Sequence, residues 1–145
     1  MKRVFKVFPI IFVCLALTAC GKDYNKNDWS SIIASISWSM KLEDVIAREG
    51  EPDEKDESSV GTIVQYKGYL DGNRGTYIYR FGDDGTLDFL KFKFESSDSA
   101  EKYIESFIDK YGKSDGENEW YGNVQGEKAV FAYIEGTMVE VDKVK

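Results

Sequence analysis

The 145-residue chain has no histidine, and its only cysteines are Cys14 and Cys20. A Ser–His or Cys–His nucleophile therefore has no base or no free thiol to work with. A zinc site of the usual kind lacks its nitrogen and sulfur ligands. Positive charge is also short: 19 Lys and Arg stand against 26 Asp and Glu, a net charge of −7. Nucleic-acid phosphates would repel such a surface, and anionic lipid would not hold it flat. Finally, no apolar run is long enough to cross a bilayer. The longest, Val7 to Leu17, falls well below the ~20 residues a spanning helix needs.

That short run is part of a leader. Lys2, Arg3 and Lys6 precede it, and the small residues Thr18 and Ala19 follow it, directly before Cys20. This is the three-part pattern of a secretory signal. Leu17-Thr18-Ala19-Cys20 resembles the lipobox of bacterial lipoproteins. The resemblance implies cleavage before Cys20, a diacylglyceryl group on its thiol and acylation of the new amino terminus. Each buried methylene contributes ~0.8 kcal/mol, so two or more chains anchor stably where one is marginal. An ordinary secreted protein cut at an A-x-A-like site is the plainer alternative.

The expected organisation is a signal at 1–19, a lipidated Cys20 with a polar tether over 20–27, and one domain over 28–145. Loss of Lys2, Arg3 and Lys6 takes the net charge from −7 to −10. Cys14 leaves with the signal and Cys20 becomes the anchor, so the mature domain holds no disulfide. Burial must hold the fold, and of the nine Phe, nine Tyr and three Trp only Phe5, Phe8 and Phe12 lie in the leader. The expected location is exported and lipid-anchored in the cell membrane or outer membrane, with the domain outside the cytoplasm. No cofactor is expected beyond the covalent lipid on Cys20.

Trp29, Ile32, Ile33 and Ile36 recur at helical spacing behind Asp28, although the isoleucines also suit a strand. Ser39 to Glu49 reads as a helix with Leu42, Val45 and Ile46 inward, stopped by Gly50 and Pro52. Glu51 to Ser59 is polar and acidic and reads as a loop. Strand-like runs follow at 62–70, 76–82 and 86–95, the last two joined by Asp84-Gly85, a two-residue hairpin signal of type I′. Asp98 to Tyr111 reads as the clearest helix. Asp98 and Glu101 offer a capping box, Ala100, Tyr103, Ile104, Phe107, Ile108 and Tyr111 fall on one face, and Gly112 closes it. Three more strand-like runs lie at 119–124, 128–134 and 137–144.

The halves at about 38–95 and 98–144 resemble each other. One helix ends Gly50-Glu51-Pro52-Asp53 and the other Gly112-Lys113-Ser114-Asp115. Gly75 precedes Gly85-Thr86-Leu87 by ten residues, and Gly126 precedes Gly136-Thr137-Met138 by the same ten. A duplicated helix–three-strand unit is the reading, against a chance match of turn chemistry.

Ser39-Met40-Lys41-Leu42-Glu43-Asp44-Val45, Gly50-Glu51-Pro52, Tyr66, Tyr79-Arg80-Phe81 and Asp84-Gly85-Thr86-Leu87 resemble the BamE/SmpA and β-lactamase-inhibitor-like superfamily. The resemblance covers 38–95 well and 98–142 weakly, and it departs at Ser39, where that family prefers Gly. It implies an α+β fold with helices packed on one face of an antiparallel sheet. Envelope assembly factors and protein inhibitors share that fold, and they share binding to other macromolecules. The matched motifs are helix stops and turns, which carry fold rather than function.

Catalytic candidates are few. Asp71-Gly72-Asn73 begins like a calcium loop, but Thr76 and Gly82 stand where its sixth and twelfth positions need Gly and Glu, so an ordinary turn is the better reading. The acids Glu49, Glu51, Asp53, Glu54, Asp56 and Glu57 read as a solvated loop before a cation or basic-partner site. The chain is therefore expected to be no enzyme. It is read as a membrane-anchored module that binds a protein or a second copy of itself. A binder of small molecules or carbohydrate and a carboxylate-dependent hydrolase are the other readings.

Pairing across Asp84-Gly85 puts Phe81 opposite Asp88, Tyr79 opposite Leu90 and Tyr77 opposite Phe92. The same rule at Glu135-Gly136 puts Ala132 opposite Val139 and Val130 opposite Val141. Opposed residues share a face. One face is then apolar enough to be the core. The other carries Ile78, Arg80, Phe89, Lys91, Lys93, Phe131, Tyr133 and Met138: an aromatic and apolar patch with a basic rim, the expected binding face. The competing expectation is that the Trp29–Ile36 segment or a loop covers it.

Overall fold

Asp28 opens the first helix in the computed structural model, which describes residues 28–114, 119–124 and 127–143, with the backbone alone at 123–124, 127–135 and 143. Its Oδ1 accepts the Ser31 N–H at 2.8 Å and so caps α1 (Trp29–Ser35). Trp29, Ile32 and Ile33 are buried on one side of α1, as the helical spacing requires. The second helix, α2 (Leu42–Glu49), starts later than Ser39. The Asp44 carboxylate accepts the Lys41 N–H at 2.8 Å, which makes Lys41 the cap. The third, α3 (Ser97–Tyr111), starts one residue earlier than expected. Ser96 has extended backbone angles and its hydroxyl accepts the Ser99 N–H at 3.2 Å, so Ser96 takes the cap and the Asp98–Glu101 box does not form.

Seven strands make one antiparallel sheet in the order β1-β2-β3-β4-β7-β6-β5. They are β1 (Glu54–Ser58), β2 (Gly61–Leu70), β3 (Asn73–Phe81), β4 (Leu87–Phe94), β5 (Glu119–Val124), β6 (Glu127–Glu135) and β7 (Met138–Lys143). The expected loop over 51–59 is in fact largely the edge strand β1, paired Glu54↔Gln65 through Ser58↔Gly61. All five of its residues are exposed, so no apolar alternation marks it. Its charged side chains suit an edge, because they oppose pairing with another chain.

Three turns set the register, and two differ from expectation. Asp71 and Gly72 have φ of 48° and 78° and join Leu70 to Asn73, the sign pattern of a two-residue type I′ hairpin. At the β3–β4 turn, Asp84-Gly85 is not such a pair. The Gly85 N–H donates to the Gly82 carbonyl at 3.0 Å, and only Gly85 is left-handed, at φ 76°. The turn is centred on Asp83-Asp84 and followed by a glycine bulge. Phe81 then pairs with Leu87 rather than Asp88, while Tyr79↔Leu90 and Tyr77↔Phe92 stand as expected. Contacts inside and outside the hairpin hold this form: Asp84 Oδ1 accepts from the Thr86 N–H and hydroxyl at 2.8 Å, Thr86 bridges Lys41, and the Leu87 N–H donates to the Met40 carbonyl at 2.9 Å. Between β6 and β7 the loop is Gly136-Thr137, not Glu135-Gly136. Val139 pairs with Ile134 rather than Ala132, and a bulge between Val130 and Tyr133 puts Val130 opposite Asp142 rather than Val141.

All three helices contribute to one core with a single face of this sheet. Val64, Tyr66, Tyr77, Tyr79, Phe81, Leu90, Phe92, Phe94, Val139 and Val141 meet Trp29, Ile36, Val45, Tyr103 and Phe107 there. Tyr77, Phe92, Phe94, Tyr103, Phe107 and Trp120 run as a chain of ring contacts with centroids 4.7–6.0 Å apart. Such tilted and edge-on pairs add ~0.5–1.5 kcal/mol each beyond burial. Arg48 links the layers, donating to the Ser35 carbonyl at 2.8 Å and the Tyr79 hydroxyl at 3.2 Å while paired with Glu49 at 2.5 Å.

Candidate functional site

Strand parity carries the other face away from the helices. Three cross-strand rows make it up: Ile63, Arg80, Phe89 and Asp142; Gln65, Ile78, Lys91 and Glu140; Lys67, Thr76, Lys93 and Met138. The Trp29–Ile36 segment packs in the core on the opposite side, so it does not cover this face. Ile78, Arg80, Phe89, Lys91 and Met138 are all half-buried, and none is sealed off.

Phe89 lies on the central strand β4, in the row nearest the β3–β4 turn. The Arg80 guanidinium carbon lies 5.6 Å from its ring centroid and Lys91 Nζ 4.5 Å. The two cations are themselves paired: Lys91 Nζ with Glu140 at 2.7 Å, Arg80 Nε with Asp88 at 3.9 Å. The expected basic rim is thus a charge-balanced one. Its acids are Glu140 from β7, which sequence reasoning did not place, and Asp88 from the β4 bulge, which it had put opposite Phe81. Held on two sides, the Phe89 ring has little rotamer freedom left to lose on contact with another surface.

The backbone of Tyr133 lies opposite Glu140, on the same row as Lys91. Phe131 sits at the β6 bulge, and the side chains of both fall outside the described residues. Cys20 lies outside them as well. Ile63 and Gln65 belong to the face but were missed, although the Asp71-Gly72 turn, read as the hairpin it is, places Ile63 opposite Arg80.

The acids of 49–57 do not converge. Glu49 pairs with Arg48, the Asp53 Oδ2 accepts the Lys67 N–H at 2.7 Å, Glu54 accepts from Gln65 at 3.0 Å, and Glu57 pairs with Lys55 at 2.6 Å. Among the described residues no group of three or more acids comes together to hold a metal ion, and no helix is long and apolar enough to cross a membrane. No family model, curated protein or solved structure matches the chain.

Proposed function

We propose that this chain is a lipid-anchored protein of the bacterial cell envelope that binds a protein partner, or a second copy of itself, through the uncovered face of its sheet, without catalysis. The observation that carries the reading is Phe89: a part-exposed aromatic on the central strand of a face that, among the described residues, carries no helix, flanked by Arg80 and Lys91. A part-exposed aromatic with cationic neighbours is the composition of a binding hot spot. The lipobox-like Leu17 to Cys20 supplies the anchor, and Gly21 to Asn27 the tether.

The same reading takes the fold as a duplicated unit, akin to the BamE/SmpA and β-lactamase-inhibitor-like proteins. In support, α2 precedes β2-β3-β4 and α3 precedes β5-β6-β7, with β4 beside β7 at the centre. Both helices also end on a left-handed glycine whose carbonyl accepts from an aromatic of the next unit strand: Tyr66 Oη to Gly50 at 3.1 Å, Trp120 Nε1 to Gly112 at 3.0 Å.

Photo-crosslinking in the native envelope tests the binding face. A benzophenone side chain at position 78 or 91 should trap one discrete product, and one at position 105, on the outer surface of α3, should not. Equal trapping from both sides overturns the reading. The anchor is tested separately. Fatty-acid labelling should mark the wild type and not Cys20→Ser, and equal labelling of the two removes the lipid.

A further inference from the structure

On the helix side of the sheet, away from Phe89, a cavity of 170 Å³ opens between the start of α1, the β2–β3 turn and the end of α3. Its walls are Trp29, Tyr103, Phe107 and Tyr111, and Asp71 and Lys110 stand with them. The frame is well tied. The Tyr111 hydroxyl meets the Ser30 hydroxyl, which joins α3 to α1, and the Phe107 and Tyr111 rings lie 4.4 Å apart. The type I′ turn puts Asp71 in place with a left-handed backbone.

Two polar groups line it: the carboxylate of Asp71, an exposed residue, and the hydroxyl of the buried Tyr103. Partial burial, then the charge of Asp28, holds the Asp71 carboxyl above its ordinary value, while Lys110 acts against this. Two carboxylates and one ammonium leave the neighbourhood with a net charge of −1. The Lys110 ammonium already lies 5.1 Å above the Tyr111 ring centroid. That ring face therefore accepts an alkylammonium.

We propose that this cavity binds a small organic monocation: an amine carried on a single ring or a short apolar chain. Size sets the upper bound, since an engineered cavity of about 150 Å³ takes benzene. Chemistry sets the charge. Aromatic faces attract cations, and the Asp71 carboxylate in the lining is an acceptor for one, with the nearby Asp28 adding to the negative charge. A free amine and the lysine side chain of a peptide offer the same groups.

Calorimetric titration of the full chain in detergent decides the matter, with benzylammonium, neutral benzyl alcohol and Nα-acetyl-lysine amide as probes. Benzylammonium should bind saturably, and about tenfold tighter than benzyl alcohol. Asp71→Asn should abolish that preference, and Asn tolerates the left-handed backbone, so the turn survives. Tyr103→Phe should weaken benzylammonium by a smaller factor, and Lys110→Ala should strengthen it by removing the chain's own competing cation. Tighter binding of the lysine amide than of benzylammonium supports the proposal with a protein side chain as the source. The reverse order supports it with a free amine. No saturable binding, or equal preference in wild type and Asp71→Asn, overturns it.

Discussion

Along β3, β4 and β7 the two faces of the sheet alternate residue by residue, yet they are different materials. Tyr77, Tyr79, Leu90, Phe92 and Val141 are each exposed by 4 % or less. Their neighbours Ile78, Arg80, Phe89, Lys91 and Asp142 are all part-exposed. On the first face rings pack against rings and the helices close over them. On the second, the Phe89 ring is held between two cations that are in turn held by acids. Apolar area on the first face stabilises the fold. On the second, part of the same kind of area still faces water.

The sharpest way to break this comparison is to truncate one ring on each face. Phe92→Ala should cost about 3–5 kcal/mol in denaturant unfolding, because it opens a cavity in the ring chain. Phe89→Ala should cost under about 1 kcal/mol. Similar losses would mean that the second face is also core.

Turn glycines come next. Gly85→Val and Gly136→Val should each lower stability by about 1–2 kcal/mol, because φ is 76° and 57° there and β-branched residues resist that region. A Cβ at either position meets nothing within 4 Å, so the loss comes chiefly from backbone strain. An unchanged denaturation midpoint at either position would deny the left-handed turn.

Tyr66→Phe removes the bond to the Gly50 carbonyl and should cost about 1 kcal/mol at neutral pH. Burial, with the nearby Glu49 and Glu51 charges, pushes the Tyr66 hydroxyl from an ordinary value of 10.0 to about 12. The folded state then holds a proton that the unfolded chain releases. This contribution is complete below pH 10 and is lost as the pH rises through 12. Stability measured from pH 9 upward should fall less steeply in Tyr66→Phe than in the wild type.

The smallest effect expected is Lys91→Ala, within about 0.5 kcal/mol of wild type at moderate salt, because the Glu140 pair it removes is partly open to water. A loss of several kcal/mol would make that pair a structural one and would weaken the second face as a binding surface.

Elements with strong periodicity were legible before any coordinates. The α3 face from Ala100 to Tyr111 follows from helical spacing, and the helix stops at Gly50 and Gly112 from the residue that best tolerates a left-handed backbone. Placing Tyr79 opposite Leu90 was enough to assign Ile78, Arg80, Phe89 and Lys91 to one face. The edge strand Glu54–Ser58 was illegible. With every residue exposed, its pairing is stabilised by backbone hydrogen bonds to β2, and those leave no pattern in side-chain types.

Sequence alone thus determined the fold class, the core-side aromatics of β3, β4 and α3 and the parity of the central strands, because those depend on spacing within one segment. Tertiary structure decided the rest. The bulged β3–β4 turn, closed locally by Asp84 and Thr86, is also held by Met40 and Lys41, more than forty residues upstream, which contact Leu87 and Thr86. The Arg80 and Lys91 rim became charge-balanced because Asp88 is turned out by that bulge and β7 brings Glu140 alongside β4. The aromatic cavity exists because Trp29, Asp71 and the last turns of α3 meet only when both helices dock on the sheet. Contacts between distant segments depend on how the layers pack, and no local periodicity encodes that.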